Sequence, residues 1–206
     1  MCGIIGISGA TSVTPRLIES LKRLEYRGYD SSGVAALVGG RIERRRAAGK
    51  IRALEDVLKG DPVEGVVGIG HTRWATHGAP NEANAHPHMV GRVVVVHNGI
   101  IENFAELKAE LQAQGRTFGS DTDTEVVAHL IDSRLEAGDD PLTAFKTTLD
   151  RLHGAYALAV LVQGEDELVL GSRRGSPLVV GWGEGEMFIG SDALAVGPFT
   201  NRITYL

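Results

Sequence analysis

The residue with the clearest chemical potential stands second in the chain. Cys2 is the single cysteine of the 206-residue sequence, and removal of Met1 would place its thiol and a free α-amino group on one residue. A thiol has a reference pKa of about 8.5 and an α-amine one of about 7.7 to 8.0, so the neutral amine can accept the thiol proton. Cys2 can thus supply a nucleophile and a base together. Cys2 considered alone is more simply interpreted as an incidental small hydrophobic residue.

A second group of candidates lies in the segment 70–78, at the end of a predicted strand. Arg73 offers a planar guanidinium, which holds a carboxylate through two parallel hydrogen bonds better than a lysine does. Trp74 beside it could form a pocket wall. The pair suits recognition of a small carboxylate, and the competing interpretation is an ordinary surface arginine with a core tryptophan.

The Asn98–Gly99 pair also admits two interpretations. It follows four consecutive valines, and Asn-Gly after such a run is a strong signal for a hairpin turn. Alternatively, the Asn98 amide and the Gly99 N–H are donors for the oxyanion formed when a thiolate attacks a carboxamide, each typically worth about 100-fold to 1000-fold in rate. The following segment leads into a capped helix, which counts against a hairpin.

Asp123 is the acidic candidate. A carboxylate in the first turn of a helix that begins near Thr122 would oppose the helix dipole favourably. The functional interpretation is that Asp123 pairs with the ammonium group of a substrate.

No metal or nucleotide cofactor is expected. Five of the seven histidines lie between His71 and His97, but the sequence has neither an HExxH motif nor a cysteine pair. A metal-dependent amide hydrolase built on this histidine-rich loop stays as an alternative. The glycines near Gly65 do not follow the dinucleotide fingerprint, and no stretch matches a P-loop.

The composition argues against several partners. A net charge of −5 gives no general attraction to a phosphate backbone or an anionic membrane, so we expect neither nucleic acid nor a membrane as a partner. The basic stretch Arg41–Lys50 is interpreted as a solvated face. One cysteine cannot form an internal disulfide, and neither a signal peptide nor a spanning segment is apparent, so a cytoplasmic location is predicted.

The predicted elements indicate an α+β fold in a single domain over 1–206. Short β-rich runs predict strands near 3–8, 33–38, 66–71, 92–97, 155–162, 167–171, 178–182 and 187–190. Helices are predicted at 15–25, after a capping box at Asn103, after another at Thr122, and at 141–152. The mixed order favours two packed antiparallel sheets between helical layers. The strand-like 202–206 looks like a cut within a longer polypeptide.

Five separated motifs together resemble the N-terminal glutaminase domain of the glutamine–fructose-6-phosphate aminotransferases, which are class II glutamine amidotransferases. The resemblance covers essentially the whole chain, and the motifs agree in order and spacing. They are Met1–Gly6, Leu24–Ser31, His71–Gly78, His97–Asn103 and Ser120–Glu125.

The resemblance implies a four-layer αββα sandwich of the N-terminal-nucleophile hydrolase type. It implies that Cys2 attacks the side-chain amide of L-glutamine while Asn98 and Gly99 hold the oxyanion, with no cofactor. For substrate binding, it assigns Arg73 to the α-carboxylate and Asp123 to the α-amino group. The pocket wall and the surround of the site are assigned to Trp74, Thr76, His77, Arg27 and Tyr29.

By the same resemblance, ammonia would pass to a C-terminal sugar-isomerase region that binds fructose 6-phosphate and yields glucosamine 6-phosphate. That region is absent here, and the full-length enzyme is expected to be a homo-oligomer. Two competing functions stay open. One is that of the glutaminase domain of a different class II enzyme, such as amidophosphoribosyltransferase or asparagine synthetase. The second is that of a non-catalytic glutamine-binding module.

Overall fold

The computed structural model describes residues 2–75 and 78–206. The strands are β1 Gly3–Ser8, β2 Ser31–Val38, β3 Arg41–Ala48, β4 Val67–Arg73, β5 His88–Val90, β6 Val93–Gly99, β7 Tyr156–Val162, β8 Leu170–Arg174, β9 Val179–Trp182, β10 Met187–Gly190 and β11 Ile203–Tyr205. The helices are α1 Thr14–Leu24, α2 Ile51–Gly60, α3 Phe104–Ala113, α4 Glu125–Glu136, α5 Pro141–Leu149 and α6 Ala193–Val196.

The strands form two antiparallel sheets. The larger has seven strands in the order β11-β9-β10-β1-β4-β2-β3, and the smaller has four in the order β5-β6-β7-β8. In the larger sheet β1 lies between β10 and β4, so the N-terminal strand is central and held on both edges. In the smaller sheet β6 is likewise held between β5 and β7.

Three separate hydrophobic cores show that the molecule has four layers. One core joins the seven-stranded sheet to α1, α2 and α6, and includes Leu17, Leu21 and Leu54. A second joins the four-stranded sheet to α3, α4 and α5. The third, which includes Ile4 and Val96, lies between the two sheets. The predicted α+β class and αββα layering are confirmed. Within the described part of the chain, none of the helices has the length and apolar character that a membrane crossing requires.

Side-chain alternation explains how these strands serve two cores at once. Along β1, Ile5 packs towards the helices and Ile4 towards the other sheet. Along β6, Val95 packs towards the helices and Val96 towards the other sheet. Successive side chains of a strand point to opposite faces, so a run of β-branched valines suits a strand that is buried on both sides.

Four of the listed strands and helices were absent from the sequence-based prediction. β3 and α2 occupy 41–60, β5 precedes β6, and α6 follows β10. The solvated face predicted for the basic stretch is wrong in part, because Arg44 donates to the Pro87 carbonyl at 3.1 Å and Arg46 to that of Ala85 at 2.9 Å. The charged residues of β3 gave it no apolar pattern from which a strand could be predicted. Its arginines hydrogen-bond the loop that leads to β5.

The two predicted capping boxes do not form. Asn103 is the N-cap of α3 but makes no side-chain cap, and its amide instead hydrogen-bonds the backbone before β7. α4 begins at Glu125 rather than near Thr122, and the Glu125 carboxylate accepts from the backbone N–H groups of residues 119 and 120 at 2.8 and 2.7 Å. The Asn103 amide is thus used by the segment before β7, and the Glu125 carboxylate by the loop before α4. Neither side chain is left to cap its helix.

Candidate active site

The candidate site lies at one end of the layer between the sheets. β1 and β4 are antiparallel, so the start of β1 lies beside the end of β4, and Gly3 is paired with Thr72. Cys2 and Arg73 are therefore neighbours. Asn98 follows Val96 by two positions and points into the same layer from the end of β6 in the other sheet. Residues far apart in sequence thus meet where β1 begins and β4 and β6 end.

The thiol of Cys2 is held by the backbone just after β4. The Trp74 N–H donates to Sγ at 3.2 Å, and Sγ lies 3.5 Å from the Trp74 carbonyl oxygen. Burial raises the pKa of the Cys2 thiol, and the N–H bond from Trp74 opposes that shift because it favours the thiolate. A protonated resting thiol needs a base before it can attack.

Asn98 lies beside the nucleophile as an amide donor. Its Nδ2 donates to the Cys2 carbonyl oxygen at 2.9 Å, and its Oδ1 is 3.0 Å from His71 Nε2. The hairpin-turn interpretation is excluded, because Asn98 and Gly99 belong to β6 and pair with Ala157 and Tyr156 of β7.

Gly99 occupies a position that suits only glycine. Its φ is +120°, and a Cβ there would lie 2.0 Å from the Ala155 carbonyl oxygen. The backbone at the end of β6 thus passes close to Ala155 while Gly99 stays paired with Tyr156, and Gly99 lines the same cavity as Cys2 and Asn98. The lack of a side chain leaves the Gly99 backbone open to the site.

Arg73 is a buried cation, not an ordinary surface arginine. Its side chain is 3% exposed, and it donates to the carbonyl oxygens of Gly78 and Ala79 at 3.1 and 3.2 Å. Its Nη1 is 4.0 Å from Asp30 Oδ1. The guanidinium is therefore fixed from several sides at the end of β4.

Asp123 faces the same recess from the loop before α4. Its Oδ2 accepts from the Ile101 N–H at 2.8 Å, and its Oδ1 is 3.9 Å from His97 Nδ1. Because α4 begins at Glu125, Asp123 lies outside the helix, and its placement in a first helical turn is not borne out.

A narrow recess brings these charges together. Cys2, Arg73, Gly99 and Asp123 all line it, with an open volume of about 20 Å³. This is roughly the room that one water molecule needs. A ligand with both an α-carboxylate and an α-amino group would therefore have to widen the recess as it bound.

A larger cavity of about 390 Å³ also borders Cys2. Trp74, 48% exposed, walls it and makes an edge-on contact with Tyr29 at 5.4 Å between ring centres. Arg27 lines the same cavity and donates to the Ser191 carbonyl at 3.0 Å. Tyr29 thus contacts the site through Trp74, whereas Arg27 borders it directly. The predicted Thr76 and His77 lie outside the described residues.

Three residues that contribute to the site were given no role by the sequence analysis. Asp30 was part of a quoted motif without a role; its carboxylate accepts from the Ala75 N–H, and its own N–H donates to the Arg73 carbonyl at 3.1 Å. Ser176 and Pro177 line the larger cavity from the β8–β9 connection. These contacts join residues far apart in the chain, and no local pattern indicates them.

The histidines form a buried polar cluster. His86 stacks on His71 at 4.2 Å between ring centres and contacts His88 edge-on at 4.6 Å. Burial lowers the pKa of His71 and of His88 to about 3, so both rings are neutral near pH 7. Among residues 2–75 and 78–206, no group of three or more His, Cys, Asp or Glu side chains could hold a metal ion.

Known proteins share this sequence and fold. Residues 71–196 match the family model described as the glutamine amidotransferase domain. The chain is 74% and 62% identical over 206 residues to proteins named glutamine–fructose-6-phosphate aminotransferase [isomerizing] from Caulobacter vibrioides and Brucella suis, and spans 34% of each. A solved glutamine phosphoribosylpyrophosphate amidotransferase from B. subtilis, complexed with ADP and GMP, matches 100% of this chain and 44% of its own, with a TM-score of 0.84 and 28% identity.

These matches confirm the resemblance drawn from the motifs. The structural match also confirms that the αββα sandwich is of the N-terminal-nucleophile hydrolase type. The family model covers more than half of the chain, including the ends of β4 and β6 and the loop that carries Asp123. The chain therefore belongs to the glutamine amidotransferase domain family.

Proposed function

We propose that this chain hydrolyses L-glutamine to glutamate and ammonia, with Cys2 as the nucleophile. The observation that carries the proposal is that Cys2 borders both a set of backbone and amide donors and a pair of opposite charges. Cys2 lines the larger cavity with the Asn98 amide and Gly99, and it lines the recess with Gly99 and the buried, oppositely charged Arg73 and Asp123. These are the groups that a thiol needs around it to bind an amino acid by its α-carboxylate and α-ammonium groups and to attack its side-chain amide.

Opposite charges in the recess orient the substrate. Arg73 binds the α-carboxylate and Asp123 the α-ammonium group, which leaves the side-chain carboxamide directed at Cys2. Charge-assisted hydrogen bonds of this kind are short and about twice as strong as neutral ones. Trp74, Thr76 and His77 are proposed to complete the pocket wall, with Arg27 and Tyr29 around it.

The proposed reaction has two halves. With Met1 removed, the α-amine of Cys2 takes the thiol proton, and the thiolate forms a C–S bond to the amide carbon while the C=O electrons move onto oxygen. Asn98 Nδ2–H and the Gly99 N–H hold that oxyanion. Collapse breaks the C–N bond, and the α-ammonium gives its proton to the leaving ammonia. Water then cleaves the thioester, giving glutamate and restoring the thiol.

The fate of the ammonia is proposed from the relatives. The chain spans about a third of the aminotransferases that it matches at 74% and 62% identity. We infer that residues 1–206 are the glutaminase domain of such an enzyme, and that a C-terminal sugar-isomerase region binds fructose 6-phosphate and uses the ammonia to form glucosamine 6-phosphate. The proposal includes a homo-oligomeric full-length protein in the cytoplasm. The identity to the phosphoribosylpyrophosphate amidotransferase is only 28%, so phosphoribosylpyrophosphate has weaker support as the compound that accepts the ammonia.

The first test is the intact mass of the purified chain before and after exposure to an electrophilic glutamine analogue, with peptide mapping of the adduct. We expect a chain without Met1 that carries one adduct on Cys2.

Glutamate release should disappear in Cys2→Ala and be unaffected by a chelator. A chain without Met1 that stays unmodified and releases no glutamate would instead favour a glutamine-binding module, and inhibition by the chelator would favour a metal-dependent hydrolase.

A further inference from the structure

A buried histidine in one sheet contacts the proposed oxyanion donor in the other. His71 lies on β4, has no exposed surface, and is two residues before Arg73. Its Nε2 is 2.9 Å from the His97 carbonyl oxygen and 3.0 Å from Asn98 Oδ1. We propose that His71 is a positioning residue that fixes the amide of Asn98 with its NH₂ group, not its oxygen, available to the developing oxyanion.

The two neighbours of His71 determine where its proton lies. A backbone carbonyl oxygen only accepts hydrogen bonds, so the His97 contact requires a proton on Nε2. That same N–H then favours the oxygen, not the nitrogen, of the Asn98 amide as its other partner. His71 Nδ1 is buried and has no hydrogen-bond partner among the described residues, which agrees with a neutral ring protonated on Nε2.

The hydrogen bond made by the nitrogen of the Asn98 amide indicates the same orientation independently. Asn98 Nδ2 donates to the Cys2 carbonyl oxygen at 2.9 Å. If the amide were rotated by half a turn, its oxygen would face that carbonyl oxygen, and its NH₂ would face the His71 N–H. Both contacts would be repulsive, so His71 and the Cys2 carbonyl together hold the amide in one orientation.

Burial keeps His71 in its donor form. The ring stacks on His86 at 4.2 Å and lies on the same face of β4 as Arg73, so a second proton would create adjacent buried cations. The groups that face His71 are His86, His97, Asn98 and Arg73. None is an acid, and burial outweighs the hydrogen bonds to the His97 carbonyl and the Asn98 amide, which oppose the lowering of the His71 pKa. The ring therefore stays a neutral donor through the pH range in which a thiolate mechanism operates.

This inference rests on the proposed glutaminase activity and predicts a specific kinetic effect. Without the His71 donor, the amide can turn and present its oxygen to a developing negative charge. His71→Leu should therefore lower kcat by about 10-fold to 100-fold, approaching the loss expected for an oxyanion donor, with KM changed less than about 2-fold. His71→Gln should recover most of the rate, because its amide nitrogen can replace Nε2.

A double-mutant cycle separates positioning from general damage. Once Asn98 is alanine, no amide is left to orient, so Asn98→Ala with His71→Leu should be no slower than Asn98→Ala alone. Multiplicative losses, or a higher KM in His71→Leu, would overturn the inference. The matched control is His129→Leu, a buried histidine on α4 that contacts Phe118 and Glu125 and should keep the kcat of the unmutated chain.

A reagent without an oxyanion gives a second control. Iodoacetamide alkylates a thiolate by direct displacement, so its rate on Cys2 should be equal in His71→Leu and the unmutated chain. A parallel loss of alkylation would mean that the substitution damages the nucleophile itself, and would contradict a role confined to Asn98.

The Asn98 side-chain amide can also be observed without any turnover. In ¹⁵N-asparagine-labelled protein its NH₂ signals are those missing from Asn98→Ala. These signals should shift in His71→Leu and return towards their original position in His71→Gln. If His71→Leu does not fold, His71→Asn replaces it, because the asparagine amide is too short to reach Asn98. Unchanged signals would overturn the inference. An unmutated chain that releases no glutamate would defeat the proposed function, while these signals would still decide the position of the amide.

Discussion

Arg73 is the residue whose substitution should reveal the substrate most directly. A charged hydrogen bond is worth about 1.5 to 3 kcal/mol, so Arg73→Ala should lower kcat/KM by about 10-fold to 150-fold, mainly through KM. Glutaminase assays over a range of glutamine concentrations measure this change. Arg23→Ala, at an exposed ion pair of α1, is the matched control. Unchanged saturation by glutamine would remove Arg73 from the site.

Asn98 should behave in the opposite way. An oxyanion exists only after the thiolate has attacked, so a donor to it stabilises the transition state and not the bound substrate. Asn98→Ala should lower kcat by about 100-fold to 1000-fold with little change in KM. Steady-state assays, with KM checked against direct glutamine binding, test this split. Equal loss of binding and rate would indicate that Asn98 has a structural role.

At the scale of elements, the end of β6 depends on the missing side chain of Gly99. Gly99→Ala would combine a left-handed φ of +120° with a Cβ 2.0 Å from the Ala155 carbonyl oxygen. We expect a loss of about 3 kcal/mol or more in the free energy of unfolding by urea. Gly164, with φ +91° and no atom within 4 Å of its Cβ position, is the matched control. Gly164→Ala should cost only about 1 kcal/mol, and equal losses would contradict this account.

The histidines packed between β4, β5 and β6 should make the fold sensitive to acid. Burial lowers the pKa of His71 and of His88 to about 3, whereas an unfolded histidine titrates near about 6.5. Between these values the unfolded chain binds more protons, so stability is present above pH ~6.5 and is lost as the pH falls towards 3. Two such groups give a slope of about 2.7 kcal/mol per pH unit.

Urea unfolding measured from pH 7 to pH 4 tests the contribution of each ring. His88→Gln keeps a partner for Thr122 but removes one titrating group, so the slope should fall by about 1.4 kcal/mol per pH unit. A slope that is the same in the variant and the unmutated chain would show that His88 is not a source of the acid sensitivity.

At the scale of the whole molecule, the described residues of the proposed glutaminase site come from the two sheets of this chain and the loops beside them. Each described candidate belongs to this chain, and the three cores are built from its own residues. The 206-residue chain should therefore release equal amounts of glutamate and ammonia from glutamine, and fructose 6-phosphate should not be consumed. Enzymatic assays for all three compounds check this. Hydrolysis that required the sugar phosphate would show that the site needs a further region.

The sequence by itself determined the family, the α+β class and most strands, because those depend on local signals. Motif spacing marked Cys2, Arg73, Asn98 and Asp123, and β-branched runs marked strands such as β6. Local patterns were misleading where a polar side chain had two possible partners. At Asn98–Gly99 a turn signal lay inside a strand, and at Thr122 a helix signal lay in a loop.

Only the tertiary structure decided how the groups act together. The hydrogen bonds of Asn98 with His71 and with the Cys2 carbonyl join three strands in two sheets, and the Ala75 N–H finds its acceptor in Asp30, 45 residues earlier. Such contacts depend on sheet order and on which face of a strand a residue occupies. Periodicity within one segment carries no information on the segment that packs against it, so the orientation of the Asn98 amide became visible only in the folded molecule.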